Sequence, residues 1–146
     1  MKVSFPHMYS ATIDRVAVSR ARIEAGQRPV LQGGPPPEFQ GDEVSWTPEH
    51  LLMAALGLCL FTTFEAFAAR DKLTVVSWRD TAKGELDRTA SGLAFKSFVI
   101  EIDVTVAAGE AGKAQEVFDK AKKNCIISRA LTPAPEVVLR IASAPE

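Results

Sequence analysis

Two cysteines are the residues of this chain best suited to chemistry. Cys59 lies within TPEHLLMAALGLCLFTTFEAFAAR and Cys125 within AKKNCIISRAL. A thiolate is a nucleophile, and its first oxidation product, a sulfenic acid, condenses with a second thiol to give a disulfide. The two cysteines form no CxxC motif, so their spacing does not decide whether the two sulfurs meet.

Cys59 by itself has the sequence context of an inert, buried thiol. Cysteine in an almost wholly apolar helix usually packs as a small hydrophobic residue, and burial raises the pKa of a thiol. The helix N-terminus is too distant to lower that pKa, because ten residues of helix after Glu49 span about 15 Å and the dipole effect fades within the first turn. Reactivity at Cys59 therefore requires a charged partner from elsewhere.

Cys125 has basic neighbours in the sequence, since Lys122 and Lys123 precede it and Arg129 follows. These charges would favour a thiolate if their side chains turned toward the sulfur. Lysines near a helix C-terminus more often complement the helix dipole and stay solvated, and we expect this of both lysines. For Arg129 the two possibilities are balanced.

The composition and charge restrict the class of protein. A chain of 146 residues with 47% hydrophobic and 24% charged residues predicts a single globular domain, residues 1–146. A net charge of -1 gives no electrostatic footprint for nucleic acid. The N-terminus does not resemble a signal peptide, and the apolar run 51–64 is short for a bilayer and is followed by Glu65, so we expect a soluble, cytoplasmic protein without a membrane partner. In that compartment free or redox-active cysteines are more common than permanent disulfides.

The sequence offers little evidence for a metal or a bound cofactor. His7 and His50 could join the two cysteines in a tetrahedral zinc site, but the spacing of the four residues does not support one. Glycine-rich phosphate-binding motifs and the GxSxG motif do not occur in the sequence. We therefore predict neither a metal nor a cofactor.

The long helix that carries Cys59 has clear start signals. Thr47 is a predicted N-cap, Pro48 suits the first helical position and Glu49 the first turn, and the helix is predicted to end near Arg70. Apolar residues surround most of its circumference, which is typical of a helix buried on nearly all sides. A single sheet in so small a domain cannot cover every side, so we expect a second chain to contribute.

The remaining elements are predicted from hydrophobic periodicity and turn residues. Alternation in the central strands indicates one buried and one wet face, which favours an antiparallel sheet. Three successive prolines make residues 33–46 a long ordered loop. Ala114, Val117, Phe118 and Ala121 form an apolar stripe on a second helix. The predicted strands are residues 11–19, 28–32, 73–87, 92–106 and 136–142, and the predicted further helices are residues 109–124 and 128–131.

The two cysteine segments together resemble the OsmC/Ohr family, the osmotically inducible and organic hydroperoxide resistance proteins. SWTPEHLLMAALGLCLFTTFEAFA is similar to the family's Pro-Glu-x-Leu-Leu segment, which leads into an alanine-rich helix with a cysteine. NCIISRAL is similar to its second-cysteine segment, Cys-Pro-hydrophobic-Ser-x-Ala-Leu. Ile126 stands where that segment has proline, and the PPPEF loop also differs, which indicates a divergent OsmC-like branch.

The resemblance implies an α+β OsmC-like fold, with antiparallel sheets wrapped around the long central helices of an intertwined homodimer. It also implies a thiol peroxidase that reduces organic hydroperoxides without metal, haem or flavin. Cys59 matches the peroxidatic cysteine and Cys125 the resolving cysteine, and a dithiol reductant such as a lipoyl group or a small thiol would restore both thiols.

The same resemblance assigns a role to Glu49, which matches a family glutamate that orients an arginine beside the reactive thiolate. Helix rise separates Glu49 from Cys59 of its own chain, so we expect Glu49 to act across the dimer. The family takes its arginine from an early strand or from the loop before the helix, and residues 33–46 contain none. The upstream candidates without a recognisable motif are Arg15, Arg20, Arg22 and Arg28.

Three functions remain open from the sequence. The first is a peroxidase that uses Cys59 and Cys125. The second, favoured by the missing arginine, is a non-catalytic dimer that binds a small hydrophobic ligand in a pocket lined by both cysteines. The third is a dithiol redox sensor or reductase, which differs from the first only in its substrate.

Overall fold

The computed structural model describes residues 3–146 and has an α+β architecture. The chain separates into two compact units, Met1–Leu51 and Leu52–Glu146. The prediction of a single domain over residues 1–146 stays a prediction.

The first unit contains a three-stranded antiparallel sheet in the order β1-β2-β3. Its strands are β1 (Thr12–Ala17), β2 (Arg20–Glu24) and β3 (Leu31–Gly33). The first predicted strand is confirmed, whereas β2 was not predicted, because only Ile23 in it is a strong strand former. The third strand begins later than predicted, since Pro29 lacks the N–H group that a ladder needs.

The predicted loop, residues 33–46, is confirmed as long and ordered. It holds a single short 3₁₀ turn, Pro37–Phe39. Trp46 closes the loop onto the sheet, because its N–H group donates to the carbonyl of Gln32 at 2.9 Å and its carbonyl accepts from Gly34 at 3.0 Å. The backbone at Gly41 approaches the carbonyl of Pro35 so closely that only glycine fits there.

The long helix α1 (Pro48–Arg70) has the predicted ends. The backbone N–H group of His50 donates to Thr47 Oγ1 at 3.0 Å, so Thr47 is the N-cap that the sequence predicts. After Arg70 the chain turns at Lys72, which has a left-handed backbone conformation.

The second unit contains a three-stranded sheet in the order β4-β5-β6. Strands β4 (Val75–Thr89) and β5 (Gly92–Val106) form the predicted antiparallel hairpin. Strand β6 (Glu136–Ser143) pairs in parallel with β5, so this sheet is mixed, whereas the sequence predicts antiparallel pairing throughout. The reason is the crossover between them, since α2 (Ala111–Asn124) and α3 (Ile126–Ala130) return the chain in the direction of β5.

The hydrophobic core of the second unit joins α1, β5 and α2. The predicted apolar stripe of α2 is buried, and alternate residues of β5 face the same core. Aromatic rings connect the elements, with Phe64 of α1 lying 4.9 Å from Trp78 and 6.4 Å from Phe118 between ring centroids. The fully buried core residues of α1 and β5 are Leu56, Leu60, Phe64, Ile100, Ile102, Val104 and Val106.

One face of α1 is not covered by the part of the chain that the structure describes. Leu58 is 63% exposed, and Ala54, Thr62, Ala66 and Ala69 are also exposed. By length and composition alone, the whole of α1 is apolar enough to cross a bilayer. Its buried residues instead make it the core helix of this fold.

Two helical glycines give a matched test of the packing around α1. An added Cβ at Gly57 would overlap the carboxylate of Asp80, which accepts a 2.7 Å hydrogen bond from Trp78 Nε1, whereas a Cβ at Gly112 meets nothing within 4 Å. We expect Gly57→Ala to lower the free energy of unfolding by about 1–3 kcal/mol. We expect Gly112→Ala to raise it by about 1 kcal/mol, because alanine is the better helix former.

Denaturant unfolding of both glycine variants, of Asp80→Ala and of Gly57→Ala combined with Asp80→Ala measures these effects. Removal of the Asp80 carboxylate makes room for the Cβ, so the two changes should not be additive. Equal effects of the two glycine substitutions would contradict the predicted overlap.

Candidate functional site

The two cysteines come together in the second unit. Cys59 is half-buried on α1, and Cys125 is fully buried between α2 and α3. Both are free thiols that belong to one hydrophobic core, and they are close enough for Cys59 to influence the ionisation of Cys125. The fold therefore answers the question that their spacing left open.

Cys125 is a protonated thiol near neutral pH. Burial raises its pKa above the ordinary value, and the hydroxyl and backbone of Ser128 oppose this rise, whereas Cys59 adds to it. Ser128 Oγ lies 3.2 Å from Cys125 Sγ and donates its proton to the sulfur.

The basic residues that flank Cys125 in the sequence do not share its buried position. Lys122 and Lys123 are exposed, so the expectation that both lysines stay solvated is confirmed. Arg129 is exposed as well. Of the two possibilities for this side chain, a position beside the Cys125 sulfur or a position in solvent, the structure shows the second.

Glu49 is in the first turn of α1, within the unit Met1–Leu51. Its Oε2 atom is buried and has no hydrogen-bond partner among the residues that the structure describes. A buried carboxylate oxygen without a donor is costly, so this atom is an acceptor that still needs a donor.

The four upstream arginines differ in their partners. Arg20 pairs with Asp42 and donates to Ser45 Oγ at 2.5 Å, and Arg22 pairs with Glu24. Arg28 donates to the carbonyl of Ala25 at 3.3 Å. Within residues 3–146, Arg15 has no carboxylate within salt-bridge distance and lines a cavity.

That cavity has a volume of about 720 Å³ and lies entirely within the first unit. Its walls are mainly apolar, and Trp46 of the loop and Leu51 of α1 contribute to them. Ligand pockets commonly measure about 300–1,000 Å³, so the cavity has room for a small organic molecule or for side chains of a second protein chain.

The sequence analysis missed two features of this site. The hydroxyl contact of Ser128 has a signal, because a helix that starts at a cysteine directs the residue three positions later back toward it. The cavity has no local signal, since three strands and the start of α1 line it together. Over residues 3–146, no cluster of three or more histidine, cysteine or acidic side chains could hold a metal ion.

Comparisons with known proteins agree on the family. The family model "OsmC-like protein" matches residues 40–140. A search of curated proteins finds no match.

Three solved structures show the same fold at low sequence identity. An OsmC-like protein of unknown function from Vibrio cholerae is 20% identical, with a TM-score of 0.77 over 93% of this chain and 99% of its own. An organic hydroperoxide resistance protein from Elizabethkingia anophelis is 16% identical, with a TM-score of 0.73 over 97% of this chain and 100% of its own. One from Bacillus subtilis is 17% identical, with a TM-score of 0.61 over 91% and 98% of the two chains.

The family model covers more than half of the sequence, and the solved structures confirm the α+β fold that the resemblance implies. This protein belongs to the OsmC-like family.

Proposed function

We propose that this protein is a thiol-dependent peroxidase that reduces organic hydroperoxides to alcohols. The observation that carries the proposal is the meeting of a half-buried thiol, Cys59, with a fully buried thiol, Cys125, in one core. The half-buried thiol is the one that a substrate can reach. The similarity to organic hydroperoxide resistance proteins supports this substrate class.

The reaction begins at Cys59. Its thiolate attacks the distal oxygen of the hydroperoxide, the O–O bond breaks, and the alkoxide leaves and takes up the proton of the original thiol to become the alcohol. Cys59 is then a sulfenic acid. The apolar surroundings favour an organic substrate over a strongly hydrated one.

The second step uses Cys125. Its sulfur attacks the Cys59 sulfenic acid, the S–O bond breaks, and the hydroxide leaves with the Cys125 proton as water. A dithiol reductant, such as a lipoyl group or a small thiol, then reduces the disulfide to two thiols and becomes a disulfide itself. No metal, haem or flavin takes part in the proposed cycle.

We propose that the enzyme is an intertwined homodimer, as the resemblance to the OsmC/Ohr family implies. The open face of α1 with Leu58 supports this, because a helix this apolar is expected to be covered. Strand β1 supports it too, since Ile13 is 61% and Val16 is 56% exposed. The soluble, cytoplasmic location also stays part of the proposal.

Arg15 is our proposed activating cation for Cys59. It lies on an early strand, where the family supplies its arginine, and it is the upstream arginine that lines the cavity without an acidic partner among residues 3–146. Glu49 would accept a hydrogen bond from Arg15 through its unpartnered Oε2 atom and so orient the guanidinium. In the proposed dimer both residues act on the Cys59 of the partner.

The second candidate function is a dimer that binds a small hydrophobic ligand without catalysis. The cavity of about 720 Å³ favours it, because its walls are mainly apolar. A redox sensor or reductase would use the same two thiols on a different substrate. The experiments on Cys59 below separate catalysis from passive binding.

Peroxide consumption by the reduced protein tests the primary proposal. We expect catalytic loss of cumene hydroperoxide with a dithiol reductant, and no turnover by Cys59→Ser, because the nucleophile is missing. Cys125→Ser serves as the matched control, and without the reductant it should react with peroxide once and stop at the sulfenic acid. Peptide mass spectrometry should find one intrachain disulfide in the wild type alone. Wild-type consumption no faster than buffer would refute the peroxidase and leave the binding function.

Substitution of Arg15 tests the proposed cation. We expect Arg15→Ala to slow the oxidation of Cys59 about tenfold, because the guanidinium no longer favours the reactive thiolate, and single-turnover kinetics with cumene hydroperoxide measures the rate. Arg22→Ala is the matched control, since Arg22 is an arginine of the next strand that pairs with Glu24. Equal rates for the two variants would show that another group activates Cys59.

A further inference from the structure

Ser128 occupies a defined position relative to the sulfur of Cys125. Cys125 ends α2 and is the N-cap of α3, and Ser128 is the third residue of α3. In a capping box the side chain at each of these two positions reaches back to the other residue, so the geometry of the helix start places Ser128 close to Cys125. The hydroxyl accordingly donates to Cys125 Sγ over 3.2 Å.

The surroundings of Cys125 make this contact important. The residue is fully buried, so water does not solvate its sulfur. The groups that influence its ionisation are Ser128 of α3 and Cys59 of α1, and the charged residues that flank it in sequence are exposed. A donor to sulfur stabilises the thiolate more than the thiol, so the hydroxyl opposes the effect of burial.

We infer that Ser128 is a positioning residue that directs the sulfur of Cys125 toward Cys59 and stabilises it as a thiolate. The inference rests on the proposed peroxidase cycle for its role in turnover, but the hydrogen bond itself does not. It adds a residue to the resolving half of the site, where the sequence and the resemblance assign only the cysteine.

The thiolate of Cys125 occurs twice in the proposed cycle. In the forward step Cys125 loses its proton as its sulfur attacks the Cys59 sulfenic acid, and that proton leaves with the hydroxide as water. In the reductive step a reductant thiolate attacks the Cys59 sulfur of the disulfide, the S–S bond breaks, and Cys125 leaves as a thiolate that then takes up a proton. The hydroxyl of Ser128 stabilises the charge on the sulfur in both steps.

The first test measures the ionisation of Cys125 without any peroxide. In full-length protein with Cys59→Ser, carbon NMR of labelled cysteine follows the titration of the single remaining thiol. We expect Ser128→Ala to raise the pKa of Cys125 by about one unit, a tenfold change in its ionisation constant. Ser128→Thr keeps a hydroxyl and should restore the parent titration.

Ile126→Ala is the matched control, because Ile126 lies on the same short helix and is 67% exposed. We expect it to leave the titration unchanged. If Ser128→Ala titrates like the parent, or shifts no more than Ile126→Ala, the inference is wrong. If Ser128→Thr shifts the pKa of Cys125 as much as Ser128→Ala does, the inference is also wrong, since the shift would then reflect a structural role of Ser128 alone.

The second test separates this inference from the peroxidase proposal. With both cysteines present and one equivalent of cumene hydroperoxide, Ser128→Ala should form the Cys59 sulfenic acid at the wild-type rate. It should then form the disulfide about tenfold more slowly, so that dimedone traps more sulfenic acid. If the wild type does not react with peroxide, the proposed function fails, while the titration of Cys125 still decides the role of Ser128. Wild-type disulfide formation by Ser128→Ala would overturn the role in turnover.

Discussion

The packing of α1 against β5 and α2 is the constraint on which the rest of the second unit depends. Leu56, Leu60 and Phe64 follow one another at helical spacing and are fully buried, so the rotation of α1 about its axis is fixed. Once that rotation is fixed, Cys59 is held half-buried at the edge of the same core. The apolar contacts that stabilise the fold therefore also determine how accessible the Cys59 thiol is, and the proposed chemistry depends on hydrophobic packing.

The same packing also sets the electrostatic problem of the site. A core built from aliphatic and aromatic side chains penalises charge, which is why Cys125 is a weak acid here. In the second unit the hydroxyl of Ser128 donates to the sulfur of Cys125 and partly offsets this penalty. The first unit contains an arginine without an acidic partner among residues 3–146, and a buried carboxylate oxygen without a donor. The arginine could stabilise a thiolate, and the carboxylate could orient the arginine, which is the physical reason why we propose a site completed by a second chain.

The sequence predicts those parts of the fold whose causes are local. The start of α1 follows from the Thr47 cap, and the stripe of α2 follows from helical periodicity, so both are confirmed. The parallel pairing of β6 was not predicted, because strand direction depends on the whole crossover rather than on the strand's own residues. The meeting of Cys59 and Cys125 was implied only by family resemblance, since residues so distant in sequence meet through tertiary packing. Arg15 was one of four equal candidates, because the differences between them exist only in the folded chain: Asp42 pairs with Arg20, Glu24 pairs with Arg22, and Arg28 does not line the cavity.

The crossover that makes β6 parallel has a consequence for the chemistry. An antiparallel return from β5 requires only a tight turn, whereas a parallel return requires a long connection, which here consists of α2 and α3. The junction between these two helices is Cys125, so its backbone is held by a helix on each side while its side chain stays in the core. If Cys125 is the resolving thiol, its sulfur has little freedom to move from this junction. The sulfenic acid must then form on a sulfur that Cys125 already contacts. The topology of the sheet is thus consistent with our proposal that Cys59, which lies beside Cys125, is the peroxidatic residue.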